Sequence, residues 1–422
     1  MLLGPVGTII VVWTLSPEEQ GTYYLFTSLV ALRALFDLGA GATIAQMTPH
    51  ALQKGDPGSG LPENAFIRVA VQWMNRIALG FAVIVGPGGL LYLHFSGQTD
   101  WKVGLMWLAT VATTSLTGAQ EGRLKILYGT GKVDWTNKLR FFSLLIQYPL
   151  QWALLCAGAS LFSFSASLLA VYTFQRIKIH SQFPALWPEN QPENNRTTQI
   201  RKELISLIGR ASVTYASGIL VFNIQQPLVY SLVGPIGSAK LGFTSMVGFT
   251  LISLASLWGL TQFPSFARKV AQGKVSAALL DFRHTLLRTV AIATFGFFAG
   301  LLALWVLHHL PRFSERLMGI TEALPLFIAF WIQTIFLMLT YWPRSFKVEP
   351  FTLIAIIQMI VTPLAVWWLV KHLGISGVGW ANLISWIFGA VGISWITFRY
   401  LPSQQTAKDA LEKLTQSETL QP

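Results

Sequence analysis

Acidic side chains and cysteine are both scarce in this chain. Asp and Glu total 18 against 30 Lys and Arg, charged residues make up only 11% of the 422, and the one cysteine is Cys156. A lone thiol excludes an intramolecular disulfide, and its place in an apolar run gives Cys156 the reading of a small packing residue. The shortage of charge excludes an ordinary soluble chain, because it comes with 53% hydrophobic residues and 16 tryptophans, far from globular composition. Catalytic signatures are missing as well. There is no phosphate-cradling loop of glycine, lysine and serine, no zinc-spaced His and Cys set, and no glycine-flanked nucleophilic serine, so no enzyme, metal or cofactor is expected. The seven histidines fall mostly at the ends of apolar runs, and His308 and His309 read as interfacial. A basic domain is also lacking: the net charge of +12 is spread over many short connections. That argues against a nucleic-acid partner and fits the bias of membrane proteins toward positive cytoplasmic loops.

What the chain does have is a series of apolar runs near the ~20 residues that cross a bilayer. They predict an all-α polytopic membrane protein of about twelve transmembrane helices in two six-helix bundles. Span two covers roughly 22 to 47, span three 77 to 95, span four 103 to 120 and span seven 205 to 233. The polar, proline-rich stretch 181–203 reads as a cytoplasmic linker between bundles at 1–180 and 204–401, with a polar cytoplasmic tail at 402–422. Arg123, Lys125, Lys132, Lys138 and Arg140 lie between spans four and five, whereas the opposite side carries only Lys102, Lys240, Arg312, Arg316 and Lys371. This asymmetry places both termini in the cytoplasm.

The halves resemble each other. "FTSLV" at 26–30 recurs as "FTSMV" at 243–247, displaced by 217, and "KVD" at 132–134 recurs as "KVE" at 347–349, displaced by 215. Two matches on nearly one diagonal indicate a parallel repeat about an axis along the membrane normal. On that register the first helix is short at its cytoplasmic end, so that it is either trimmed or begins upstream of Met1.

Arg33 and Asp37 are the sharpest feature. Both fall near the middle of span two, where an isolated charge costs at least ~2.5 kcal/mol, and a spacing of four predicts that they pair on one helix face. The repeat places Thr250 and Leu254 at the equivalent positions. A requirement of the fold alone would be expected in both halves, so the asymmetry favours a site in the first. Arg68, Gln72 and Arg76 share a helix face on the approach to span three and read as a solvated or headgroup-facing stripe. Glu121 and Arg123 close span four, where neither charge needs a special reason. Arg210 and "NIQQP" at 223–227, with Gln225 and Pro227, put polar groups into span seven and predict a bent helix or interhelical hydrogen bonds.

The stretch "LSPEEQGTYYLFTSLVALRALFDLGAGATIAQ" at 15–46 resembles the first hairpin of polysaccharide and O-antigen flippases. These belong to the multidrug/oligosaccharidyl-lipid/polysaccharide exporter superfamily. "YGTGKVDWTNKLR", "LVGPIGSAKLGF" and "FPSFARKVAQGKVSAALLDFRHTLL" continue the resemblance along nearly the whole chain. It implies two six-helix bundles of the multidrug-exporter type around a central cavity, working by alternating access. The implied cargo is a polyprenyl-diphosphate-linked oligosaccharide, moved across the cytoplasmic (inner) membrane for surface polysaccharide synthesis. "RALFDLG" matches an arginine-containing stretch of the related lipid II flippases, which implies Arg33 as the first diphosphate contact, with Asp37 orienting it or taking up a proton. Arg68, Arg76, Arg210 and Gln225 are the assisting candidates. Implied partners are the lipid-linked cargo, membrane lipids, and a polymerase and glycosyltransferases of the same pathway. A proton or sodium gradient is the implied source of drive. A drug-cation exporter and a non-transporting scaffold of a glycan-synthesis complex are the alternatives.

Overall fold

A computed structural model describes residues 3–53, 60–98, 100–188, 195–346 and 350–399, except the side chains of 3–5, 209–215, 217, 218, 264 and 271. These residues are almost wholly helical, with no strand among them. The first half contains α1 (Leu3–Thr14), α2 (Pro17–Ala31), α3 (Arg33–Asp37), α4 (Ala40–Leu52), α5 (Asn64–Phe95), α6 (Trp101–Gly129), α7 (Val133–Cys156) and α8 (Phe162–Gln182). The second contains α9 (Asn195–Asn223), α10 (Gln225–Val233), α11 (Pro235–Ala271), α12 (Val275–His308), α13 (Ile320–Ser345), α14 (Thr352–Leu373) and α15 (Ser376–Arg399). Only Leu32 parts α2 from α3, Leu38 and Gly39 part α3 from α4, and Ile224 parts α9 from α10. Counting α2–α4 and α9–α10 as single rods leaves twelve among the described residues.

Six helices, α5 and α11 through α15, are long and apolar enough to cross a membrane, and the bent pair made by α2–α3 with α4 passes the same test as a seventh. The protein is therefore an all-α, multi-pass membrane protein. The other rods fall short by length or by polarity, and in α6 much of that polarity is satisfied within the helix. Thr110, Thr113 and Ser115 donate to the carbonyls of Met106, Ala109 and Val111 at 2.8, 2.9 and 2.8 Å, a back-bond that removes a hydroxyl's need for water.

Contacts divide the described residues into two compact units, one of Val6–Ala239 and one of Leu3–Pro5 with the residues from Lys240 onward. The boundary falls within the first turns of α11, so α9 and α10 lie in the first unit. Part of the polar stretch before them is docked. Pro184–Leu186 form a 3-10 turn whose Leu186 is fully buried, and Arg123, only 7% exposed, holds it there. The Arg123 Nε donates to Leu186 O at 3.3 Å, and its guanidinium lies 4.5 Å from the Trp187 ring centroid. Arg123 thus departs from the expectation of an unremarkable terminal charge, while Glu121 pairs with Arg140 at 3.1 Å. Cys156 is exposed at the end of α7 and is not a packing residue. The "KVE" repeat and the 402–422 tail lie outside the described residues.

Candidate functional site

The site is built around the break in the second rod. Ser16 and Glu19 start α2 with a capping box: the Glu19 N–H donates to Ser16 Oγ at 3.1 Å, and the Ser16 N–H donates to the Glu19 carboxylate at 3.0 Å. Pro17, already fixed at a helical φ, fills the first turn. The far end is irregular. Leu38 (φ 45°) and Gly39 (φ 82°) both take the left-handed conformation, and α4 leaves at 41° to the helix before it. Gly39 has no Cβ to clash, but Leu38 does, at a cost of about 1 kcal/mol. Backbone strain of this kind collects at functional sites.

The break decides what the two charges do. A spacing of four in an unbroken helix predicts an Arg33–Asp37 ion pair, and the structure has none. Asp37 turns instead to the new helix start, where its Oδ1 accepts the Gly41 N–H at 3.1 Å. There it satisfies an otherwise orphaned donor beside the positive end of α4. Arg33, half-buried at the start of α3, lies against α6. A Cβ on Gly118 would stand 2.5 Å from Arg33 Nη1 and 3.2 Å from its Cδ, so any larger residue there would push the guanidinium out of this position.

Glycines set the register along α6. Lys125 and Asp37 both flank Gly41, with Lys125 Cε at 3.0 Å and Asp37 Oδ2 at 3.6 Å from where its Cβ would stand. Farther on, Gly129 faces Ala45 and Thr48. Arg33, Gly41 and Ala45 thus meet Gly118, Lys125 and Gly129 in the same order, and the broken rod runs parallel to α6. The half-buried Lys125, which the charge pattern assigns to a cytoplasmic connection, belongs with Arg33 and Asp37. Among the described residues neither Arg33 nor Lys125 has a carboxylate within ion-pair distance. Two half-buried cations against one committed acid leave this stretch with an excess of positive charge.

The other candidates are dispersed. On α5 the stripe is not uniformly solvated: Arg68 is 7% exposed, Gln72 half-buried and Arg76 exposed. Phe36 of α3 packs edge-on against the buried Phe81 of α5 at 5.7 Å. Gln225 is buried and its Nε2 donates to Val221 O at 2.8 Å, within its own rod. Arg210 belongs to α9, but its side chain lies outside the described residues. No group of three or more His, Cys, Asp or Glu among the described residues is placed to hold a metal.

The "NIQQP" stretch breaks the rod at Ile224, and interhelical hydrogen bonds close the break. Pro227 has no N–H, so the carbonyl four residues back, on Asn223, loses its helical partner. Ser28 of α2 supplies one, its Oγ donating to Asn223 O at 2.5 Å. Tyr92 donates to Pro227 O at 2.5 Å, and Thr22 and Tyr230 bond through their hydroxyls at 3.2 Å. Gln226 Nε2 donates to Ser238 O at 2.6 Å, and Ser238 Oγ donates to Gly21 O at 3.1 Å. Both expectations for this stretch, a broken helix and hydrogen bonds between helices, are met together.

No family model and no curated protein sequence matches the chain. Solved structures do. An inward-facing multidrug resistance MATE family transporter of the MOP superfamily aligns with a TM-score of 0.66 at 13% identity, covering 94% of each chain. The lipid II flippase MurJ, in an inward closed conformation, aligns with a TM-score of 0.66 at 12% identity, covering 98% of this chain and 88% of that one. A MOP superfamily transporter from Pyrococcus furiosus, described as having a binding pocket of reverse polarity, aligns at 0.54 and 13% identity over 95% of this chain and 93% of that one. The chain has the fold of MOP-superfamily transporters, and the neighbours that share it are transporters and a flippase.

Proposed function

We propose that this protein is a flippase for a polyprenyl-diphosphate-linked oligosaccharide, acting by alternating access in the cytoplasmic membrane with both termini on the cytoplasmic side. The observation that carries this reading is Arg33, half-buried at a helix break, with no carboxylate partner among the described residues and with Lys125 on the same stretch of α6. A guanidinium binds phosphate oxygens through two parallel N–H groups, and a second cation answers the second phosphate. Drug cations would need the opposite field, and Asp37, four residues from Arg33 in the sequence, is already bonded to Gly41. Arg68, Arg76, Arg210 and Gln225 are the assisting residues of this reading, with Arg76, exposed on α5, on the approach. Drive comes from an ion gradient, the membrane potential or consumption of cargo on the far side. Pathway polymerases and glycosyltransferases are the partners this role implies.

Mass spectrometry of lipid extracts, with the leaflet of each intermediate assigned, tests the reading in cells that lack the protein, carry wild type, or carry Arg33→Ala. Accumulation of an intact lipid-diphosphate oligosaccharide in the cytoplasmic leaflet of both defective strains is expected. If Arg33→Ala clears the intermediate as wild type does, Arg33 is not the cargo contact. If deletion leaves every lipid-linked intermediate unchanged, the scaffold or drug-exporter reading takes over.

A further inference from the structure

A pair of residues four apart recurs in the second unit. Trp305 and His309, Trp367 and Lys371, Trp368 and His372, and Trp395 and Arg399 each share a helix face. In all four the second residue closes on the ring of the first. The two histidine rings lie 4.6 and 4.7 Å from their tryptophans, Lys371 Nζ lies 5.6 Å from the Trp367 centroid, and Arg399 Cζ lies 3.7 Å from that of Trp395. His309 and His372 also donate Nδ1–H to the carbonyl of their own tryptophan, each at 2.7 Å.

Three of the four pairs fall on the α14–α15 hairpin. Trp367, Trp368 and Trp395 are exposed, and α14 buries only Thr362, Val366 and Val370. The charge on this hairpin is all of one sign. Residues 350–400 contain no Asp or Glu, while Lys371 and His372 stand at one end and Arg399 at the other. The Glu322 carboxylate, at the start of the neighbouring α13, is held by the Gly319 N–H at 2.9 Å. The 24 residues of α15 span about 36 Å, somewhat more than the ~30 Å hydrocarbon layer. The two cationic ends therefore reach the two headgroup layers, with tryptophans at the depth such rings prefer.

We propose that the α14–α15 hairpin is a binding surface for anionic phospholipid, its main headgroup contact being Lys371 and His372 set against Trp367 and Trp368. A zwitterionic lipid brings its own cation, which Lys371 would repel without a carboxylate to offset it. An anionic lipid brings only the phosphate, which the Lys371 ammonium attracts. This surface does not depend on the cargo.

Native mass spectrometry of the full chain, released from mixed bilayers of phosphatidylglycerol and phosphatidylcholine with identical acyl chains, tests the surface. Wild type is expected to retain phosphatidylglycerol preferentially, Lys371→Gln to lower that preference about fivefold, and Lys371→Glu to reverse it. A photoactivatable phosphatidylglycerol on wild type should label peptides of α14 and α15, a readout that needs no variant to fold. Equal retention of both lipids by wild type, an unchanged preference in Lys371→Glu, or labelling confined to other helices would each overturn the proposal.

Discussion

The α2–α4 rod runs from Pro17 to Leu52 and α11 from Pro235 to Ala271, starting with prolines that sit within one residue of the 217-residue repeat register. α11 is one continuous helix, while its counterpart breaks at Leu38 and Gly39. Where the first rod has Arg33, α11 has Thr250, whose hydroxyl donates to Met246 O at 2.8 Å. Where the first has Asp37, α11 has Leu254, 44% exposed. A straight apolar helix therefore suffices for this place in the fold. The break, the strained Leu38 and the two charges all occur in this one rod, within seven residues of one another.

The widest contrast is in cargo handling. Arg33→Ala should weaken binding of a lipid diphosphate by about tenfold to a hundredfold, the loss expected of a charge-assisted contact of ~1.5–3 kcal/mol, whereas Thr250→Ala should leave it unchanged. Titration of purified protein with undecaprenyl diphosphate separates the two. Next comes packing: Gly118→Ala drives a methyl into the Arg33 side chain and should destabilise by about 2 kcal/mol. Thermal unfolding should show most of that loss relieved in the Gly118→Ala, Arg33→Ala double variant; additive losses would mean that Arg33 does not lie where the geometry puts it. A smaller difference is expected at the break, where Asp37→Ala uncaps α4 at about 1 kcal/mol and Leu254→Ala, on the intact rod, stays within about 0.5 kcal/mol. The smallest concerns one ion pair within each compact unit. Glu63 ahead of α5 bonds Arg196 of α9 at 2.5 Å and holds its guanidinium above the usual range, and Lys269 of α11 pairs with Asp281 of α12. Both pairs are partly exposed, so Glu63→Gln and Asp281→Asn should each cost about 0.5 kcal/mol and reveal no asymmetry between the units.

The apolar runs made the helical, membrane-spanning plan legible, because crossing a bilayer leaves few options for backbone hydrogen bonds. The fine structure of the site was not. "FDLGAG" keeps an apolar pattern straight through the bend, since a left-handed Leu38 leaves no mark on hydropathy, so the pattern of residues implied an unbroken helix and an ion pair. Lys125 was hidden differently, inside a run of basic residues that reads as one cytoplasmic connection. Its signal was the glycines at 118, 122 and 129 on the same helix, which admit close neighbours and so mark which face of α6 is packed. Arg123 needed Trp187, some 60 residues away in sequence, and nothing local could have paired them.

Ser28 and Pro227 are coupled through one acceptor, the carbonyl of Asn223. Replacing Pro227 by a residue with an N–H returns to Asn223 O the partner it lacks, and Ser28 then becomes dispensable. Removing Ser28 first leaves a carbonyl stranded between helices. Of the two orders in which a lineage could lose this pair, only the one that gives up the proline first passes through an intermediate that folds as well as the present chain, so descendants and engineered variants should be found with the serine alone far more often than with the proline alone.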